Sequence, residues 1–514
     1  MTATGRRSVW ILADQCHPES AHLHGTSPDD TDVLFVVALD KLRAAPWHRQ
    51  RLHLILTTMR RFAAELTDIG YRVDWRVASS MAAGVDAHLA AFAPEQLRVM
   101  QSSNRAGASL IDRLAQRHGD CIDVVPDDRF LCSAEEFCAW ADAHRRRDGS
   151  LVMEDFYRWQ RRRLGILVDV NGEPEGGVWN LDHENRLPPP RDGGTWPESP
   201  RSVPDAIDDE IAAFIDGVDG LTLTGAPWDG IWATDRAGAL ARVQHFIAHG
   251  LEGFGPYEDA VVSHHWHLNH SLISPYLNLG LLHPRDVVDA VLDAHRRGAL
   301  PMNSVEGFIR QIIGWREYIH GVYWWRGAEY ASENFLDASD PLPPAFRGEP
   351  TDMNCVRHVA QWVNDYGWTH HIPRLMVLAN LATLAGVDPA EILGWMQASF
   401  IDGADWVMVP NVIGMGTYAD GGAMSTKPYV SGGNYISKMT DFCRGCTFDR
   451  SARIGDTACP FTTLYWDFLD RHRERLAGNH RMGRMYANLN RLADIDEIRS
   501  RAVQMRTRLA SGTL

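Results

Sequence analysis

The 514-residue chain carries 51 Lys and Arg against 66 Asp and Glu, a formal net charge of -15. This excludes a generally basic coat for nucleic acid and leaves phosphate contacts to local patches such as Arg161, Arg162 and Arg163 or Lys438, Arg444, Arg450 and Arg453. The length predicts two or three domains with sizeable cores. The chain shows no apolar leader and no apolar run long enough to span a bilayer, so a cytoplasmic protein without membrane attachment or disulfides is expected. Tryptophan (18) outnumbers phenylalanine (17), which suits stacking on flat ligands or an electron path, although large helical cores absorb tryptophan too.

Strand and helix patterns alternate in the first part. SVWILADQ and VLFVVALD are apolar runs, and HLILTTMRRFAAELTDIG has helical periodicity. Strand-like YRVDWRV and LRVMQ follow, then helical SLIDRLAQRHG, strand-like IDVVP and helical SAEEFCAWADAHRR. That order predicts a parallel sheet flanked by helices. No G-x-G-x-x-G follows the first strand, so a standard dinucleotide fingerprint is absent. Ligands of such sheets sit beyond the carboxyl ends of the strands, which points to Asp14 and Gln15 and to the segment from Leu39 to Lys41.

Residues 151–204 are rich in Gly, Pro and Asn, as in GEPEGG and RLPPPRDGG, and predict a connector laid over the surface. Helical patterns dominate beyond it. The expected division is therefore 1–144 α/β, 145–204 connector and 205–514 all-helical. In VDPAEILGWMQASF, Asp388 with Glu391 three residues on predicts a capping box.

Four cysteines near the C-terminus form the strongest chemical signal. Cys443 and Cys446 stand as C-x-x-C, Cys459 precedes Pro460, and Cys355 lies far upstream. Such spacing predicts a four-thiolate metal centre, and zinc and a [4Fe-4S] cluster are both compatible with it. Cys16, Cys121, Cys132 and Cys138 show no paired spacing and read as small core residues.

Other helical segments carry more polar and aromatic groups than a core needs. Gln311 and Trp315 are four apart in FIRQIIGWREY, with Arg310 and Arg316 adding donors for anionic groups. His370 and His371 precede Arg374 closely. Asp402, Asp405 and Asn411 lie among glycines in FIDGADWVMVPNVIGMG, as irregular backbone around a ligand would. A structural ion-pair network explains each alone. Together they outline a cofactor pocket.

The segments GPYEDAVVSHHWHLNHSLISPYLNLGLLHPRDV, FIRQIIGWREY, MNC, HHIPRLM, WVMVPNVIGM, STKPYVSGGNYI and CRGC with a later CP resemble the iron-sulfur bacterial cryptochrome and photolyase family, the prokaryotic (6-4) photolyases. The resemblance covers nearly the whole chain and includes WNLDHENR in the connector. It implies an α/β, Rossmann-like N-terminal antenna domain and a C-terminal all-helical FAD-binding domain, with [4Fe-4S] on the four cysteines. It further implies a monomer acting on UV-damaged DNA and an antenna, 6,7-dimethyl-8-ribityllumazine, held near Asp14, Leu39 and Ile55.

By the same resemblance, His270, Ser271, Leu272 and Ser274 form the flavin phosphate segment, with Tyr257 nearby. Arg374, Asp402 and Asp405 match flavin-binding positions, and Arg316, Met408 and Asn411 are expected beside the cofactor. Gln311, Trp315 and His371 match lesion-contacting positions, as do the aromatic hydroxyls of Tyr429 and Tyr435. Trp395 fits the flavin-proximal electron donor. The implied activity is light-driven repair of pyrimidine-pyrimidone (6-4) photoproducts by electron transfer from reduced FAD. A cryptochrome-like photoreceptor without repair is the alternative, and a nucleic-acid-binding module scaffolded by the metal loop is a third option. Five positions depart from the family pattern. Leu375 replaces a second histidine of eukaryotic (6-4) enzymes, and Met408 a carboxylate close to flavin N5. Met396 and Arg347 replace a tyrosine and a tryptophan of the electron route, and Lys41 replaces an antenna-binding glutamate.

Overall fold

The computed structural model describes residues 5–298 and 300–514. The apolar run Thr31–Ala38 is buried at every position, as a central strand covered on both faces must be. It pairs in parallel with Arg7–Ile11 on one side and Arg72–Ala78 on the other, and Leu97–Met100 and Ile122–Val125 extend the sheet beyond Arg7–Ile11. The register sets Val9 beside Val33 and Trp10 beside Leu34.

Alternation along these strands divides the core. Val9, Val33 and Phe35 pack with Leu52, Leu56, Met59 and Phe62 of the helix Arg49–Asp68. Trp10, Leu34 and Val36 pack on the other face with Val85 and Ile111, from the helices Met81–Phe92 and Arg105–His118. The helix Met81–Phe92 was not expected, because its many alanines blur the apolar period; Ser80 caps it by accepting from the Ala83 N–H. Gly84 permits its close approach, since a Cβ there would lie 2.5 Å from Val36 Cγ1.

Strand order reverses between Arg7–Ile11 and Leu97–Met100, and the crevice beyond their carboxyl ends holds Asp14, whose carboxylate accepts from the Ser103 hydroxyl at 2.6 Å. That is where a sheet of this kind offers a ligand site.

The seam between the parts departs from the expected ranges. Within the stretch read as surface connector, the helix Met153–Leu164 buries Phe156 and Tyr157 completely. Phe137 and Trp140, on the helix Ala134–His144, join a core with Tyr318 and Tyr323 rather than with the sheet. Conversely the helix Ala206–Gly217 returns to the sheet layer, where Ile211 and Ile215 pack with Phe62 and Leu66. Arg61 pairs there with Asp205 at 2.7 Å and Asp208 at 2.8 Å.

Among the described residues, the regular elements of the remainder are helices apart from the short strand Leu223–Thr224, which pairs with Trp47–His48. Asp388 caps the helix Pro389–Ser399 through the Ala390 N–H, but no capping box closes, because the Glu391 carboxylate faces Arg347 at 3.8 Å instead. Three segments widen into π-helix: Arg310–Arg316, Pro373–Ala379 and Asn411–Gly416. Such local widening is frequent at functional sites. Each of the three carries residues singled out above.

Candidate functional site

Arg374, on the second π segment, forks onto Asp402 with Nη1 at 2.9 Å and Nη2 at 3.0 Å from the two carboxylate oxygens. Its Nε donates to the Thr369 carbonyl at 2.6 Å, and its guanidinium lies 4.2 Å from the Phe400 ring centre. Planar bidentate pairing of this kind fixes both partners. The Ser274 hydroxyl donates to the same Asp402 carboxylate at 2.7 Å, so this expected phosphate contact is committed to a neighbour. The backbone before it is left-handed at two non-glycine residues, Leu268 (φ 46°) and Leu272 (φ 56°), a strain that marks sites held by their surroundings.

Asp402 and Asp405 also wall a cavity of about 1080 Å³, together with Trp395 and Trp406. The opposite wall comes from the sheet layer: Asp14, Lys41, Trp47 and Ile55. Leu39 packs into the core instead, and the wall at that level is Ala38, Lys41 and Leu42. Asp405 accepts from Tyr323 Oη at 2.5 Å and Gln397 Nε2 at 2.8 Å. Arg51 ties the walls together, donating from the helix Arg49–Asp68 to the carbonyls of Gln397 and Gly403, the latter at 2.8 Å. Flat indole faces, an apolar floor and a few fixed polar groups suit an aromatic cofactor, so Trp395, Asp402, Asp405 and the Arg374 fork fit a flavin.

A second group of side chains gathers on the segment after Tyr257. Gln311 Nε2 donates to Glu258 Oε1 at 2.6 Å, and His371 Nε2 lies 3.0 Å from Asp259 Oδ1. Arg310 reaches Asp182 of the connector at 2.9 Å. Burial pushes the Glu258 carboxyl up to about 7, against the opposing charges of His371 and Arg310. For His371, burial alone would lower the imidazole, but the Asp259 hydrogen bond and charge override it and leave the value raised. Burial and the Asp259 charge push the Tyr435 phenol up to about 12, so it remains a donor at neutral pH. Tyr429 is half-exposed and, like Tyr435, feels the charge of Arg186. Glu258 Oε2, Thr369 Oγ1 and His370 Nε2 are buried without a partner among the described residues, which is where a ligand completes a site. The cluster can hold a proton on an imidazole beside amide and phenol donors.

The four C-terminal cysteines converge around one small cavity also lined by Gly433, Phe442 and Phe461. Burial first, and then the charges of Cys459, Cys443 and Cys446, push the Cys355 thiol far above its ordinary value. Four sulfurs turned to one centre form the donor set of a four-thiolate metal site, which they become on losing their protons to the metal. Gly433 makes room, since a Cβ there would lie 3.0 Å from Cys459 Sγ. The donor set fits a four-thiolate centre.

Several expected residues stand apart from these groups. Arg316 is paired with Glu317 at 2.6 Å and lies 4.2 Å over Phe130, so its charge is already engaged at the seam. Met408 is core, and the Asn411 amide donates to the Val407 carbonyl at 2.8 Å. Tyr257 meets Trp196 edge-on at 5.3 Å, beside a different cavity. Trp315 is half-buried and edge-on to Tyr318 at 6.2 Å. Sequence reasoning missed Arg51, Glu258 and Asp259. The last two lie inside a quoted motif, but adjacent acids carry no spacing signal, and Arg51 acts across the seam.

A family profile described as "Deoxyribodipyrimidine photo-lyase-related protein" matches residues 9–219. A protein of Agrobacterium fabrum named (6-4) photolyase is 39% identical over 498 residues, covering 95% of this chain and 96% of its own length. Among solved structures, a bacterial class III photolyase from Agrobacterium tumefaciens superposes with TM-score 0.59 at 15% identity, covering 99% of both chains. The cryptochrome of Synechocystis sp. PCC6803 gives 0.53 at 12% identity, with 99% of this chain and 100% of that one covered. These two share the fold. At 39% identity along almost its entire length, with the sheet, helical region and cysteine centre in place, the chain belongs to the bacterial photolyase-related branch of the cryptochrome and photolyase family.

Proposed function

We propose that the protein repairs pyrimidine-pyrimidone (6-4) photoproducts in UV-damaged DNA, driven by light, as a cytoplasmic monomer. The observation that carries this reading is the pairing of His371 with Asp259 beside Gln311 with Glu258: a proton-holding imidazole adjacent to an amide fixed by its neighbours. Reversing a (6-4) bond requires a hydroxyl to move between rings, and a proton must accompany it. A damaged pair stacks poorly, which lowers the cost of extruding it from the duplex toward such a pocket. Trp395, Asp402 and Asp405 would hold reduced FAD, which would supply the light-excited electron. The residues of this chain orient the lesion and hold the proton: the Tyr435 and Tyr429 phenols donate to its polar edges, Gln311, whose amide N–H groups go to Glu258 and the Gly307 carbonyl, presents its Oε1 as an acceptor, and His371 keeps its proton through Asp259. The test is light-dependent conversion of a defined (6-4) oligonucleotide, followed by chromatography. No conversion by flavin-loaded protein would favour a photoreceptor instead.

That second reading rests on one observation. Trp395 packs edge-on against Phe346 and Phe400 at 5.3 and 5.8 Å, while Met396 is buried and Arg347 points to Glu391, so the usual onward route for electrons is interrupted. Trp395 remains the proposed nearest donor. Trp395→Phe is expected to cut photoreduction to a small fraction of the parental rate with flavin still bound. A parental rate in this variant would assign the donor role elsewhere.

The antenna end of the cavity, at Asp14, Lys41 and Ile55, is proposed to take 6,7-dimethyl-8-ribityllumazine weakly, because Lys41 presents a donor where an acceptor suits the ligand. Lys41→Glu is expected to tighten lumazine binding about tenfold, as one hydrogen bond to a charged group of ~1.5 kcal/mol would. Fluorescence titration measures it, and release of a deazaflavin or folate from purified protein would refute the choice of ligand.

A further inference from the structure

The segment holding the proposed proton donor contains two more imidazoles that repair leaves unused. His270, His370 and His371 bring ring nitrogens within 4.8 Å of one another. Two of these rings are braced as metal-ligating histidines are, with one nitrogen tied to an acceptor and the other left over. His371 Nε2 lies 3.0 Å from Asp259 Oδ1, and His270 Nε2 lies 3.2 Å from the Glu258 carbonyl oxygen; each leaves Nδ1 available. His370 is only 2% exposed, and its Nε2 has no hydrogen-bond partner among the described residues. A buried polar atom left in this way is costly unless something completes it.

We propose that His270, His370 and His371 form a binding site for a borderline divalent transition-metal ion, Zn²⁺ or Cu²⁺. Three imidazoles favour such ions over hard cations, which prefer oxygen. Three protein ligands leave the fourth position of a tetrahedron for water. The His270 and His370 rings stack at 4.3 Å. Drawing the nitrogens to the ~3.3 Å separation that bonds of ~2.0 Å around tetrahedral zinc require takes a rotation of His370 that gives up the long 3.4 Å contact from the Ile372 N–H to its Nδ1, which then carries the ring proton and leaves Nε2 to ligate. Resting on the repair reading, a metal held here occupies His371 and blocks repair reversibly.

Two other histidine pairs lie close enough to chelate: His265 and His267, with ring centres at 4.4 Å but nitrogens engaged by Leu268 and Ser199, and His245 and His249, a helical turn apart with ring centres at 4.7 Å, which must be removed first. In flavin-loaded His249→Gln protein, calorimetric titration with Zn²⁺ is expected to show one site per chain. Adding His370→Gln, His270→Gln or Asp259→Asn should weaken that site by about tenfold or more, with circular dichroism unchanged. Asp259→Asn leaves all three rings in place and serves if a histidine variant misfolds. Cu²⁺ bound to the same protein should show nitrogen hyperfine splitting in its electron paramagnetic resonance spectrum, reduced in the variants. Absence of a Zn²⁺ site in the His249→Gln protein, or affinity untouched by all three substitutions, overturns the proposal. Repair should be inhibited by Zn²⁺ and restored by chelator. Protein that binds Zn²⁺ as described but never repairs DNA would retain the site and refute the repair reading alone.

Discussion

His371→Ala is expected to lower light-driven repair of a (6-4) oligonucleotide by about 10²- to 10⁴-fold, the range a positioned general acid contributes, with flavin binding and photoreduction intact. The side chain is half-exposed and no part of the apolar core, so its loss leaves the fold standing. His370→Ala should be milder, since that ring is buried against His270. The sign of the pH dependence follows from Asp259. Its carboxylate raises the His371 value above that of a free imidazole, and Glu258 and Arg310 are the other charges facing the ring. The imidazolium and its ion pair are therefore fully present below about 6.5 and are lost only as pH rises through the raised folded value. Repair should decline on that alkaline limb, and Asp259→Asn should move the limb to lower pH. Full activity in His371→Ala would overturn the assignment.

Cys355→Ala is expected to yield little soluble protein. Cys355 lies in the first turn of the helix Asn354–Tyr366, Cys459 immediately precedes the helix Pro460–Arg471, and Cys443 and Cys446 come from the intervening loop. A metal centre on these four sulfurs would fasten segments that the chain itself separates widely. Structural zinc in small fingers contributes about 10–16 kcal/mol, comparable to the whole net stability of a typical domain, about 5–15 kcal/mol. Losing a ligand here should unfold the C-terminal region. We read the centre as [4Fe-4S]. Iron and sulfide in equal amounts in anaerobically purified parental protein are expected, and zinc or no metal would refute the cluster.

The sequence made some of this legible for clear physical reasons. Apolar runs such as Thr31–Ala38 announce a buried parallel strand, and C-x-x-C announces a chelate. The helix Met81–Phe92 escaped notice because alanine fits both a face and a core. Met153–Leu164 escaped because its charged residues and Gly/Pro-rich surroundings masked Phe156 and Tyr157. The π segments depend on tertiary packing that no local period reports. The site divided in the same way. Of the residues recognised by type within a motif, Arg374 and Asp402 pair with each other, while Gln311 and His371 each face an adjacent acid, Glu258 and Asp259. Partners that matter only through three-dimensional placement, Arg51, Glu258 and Asp259, carried no mark of their own.

The return of the helix Ala206–Gly217 to the sheet bears on how such chains can be recombined. A junction chosen at the end of the connector would strip Ile211 and Ile215 from Phe62 and Leu66, and leave His53 and Arg61 without Asp208. The α/β half would then present an apolar scar with the His53 ring and the Arg61 guanidinium unpaired beside it. A chimera exchanging antenna units between relatives keeps that surface closed only if the helix travels with the sheet, although it lies on the far side of the linker in chain order.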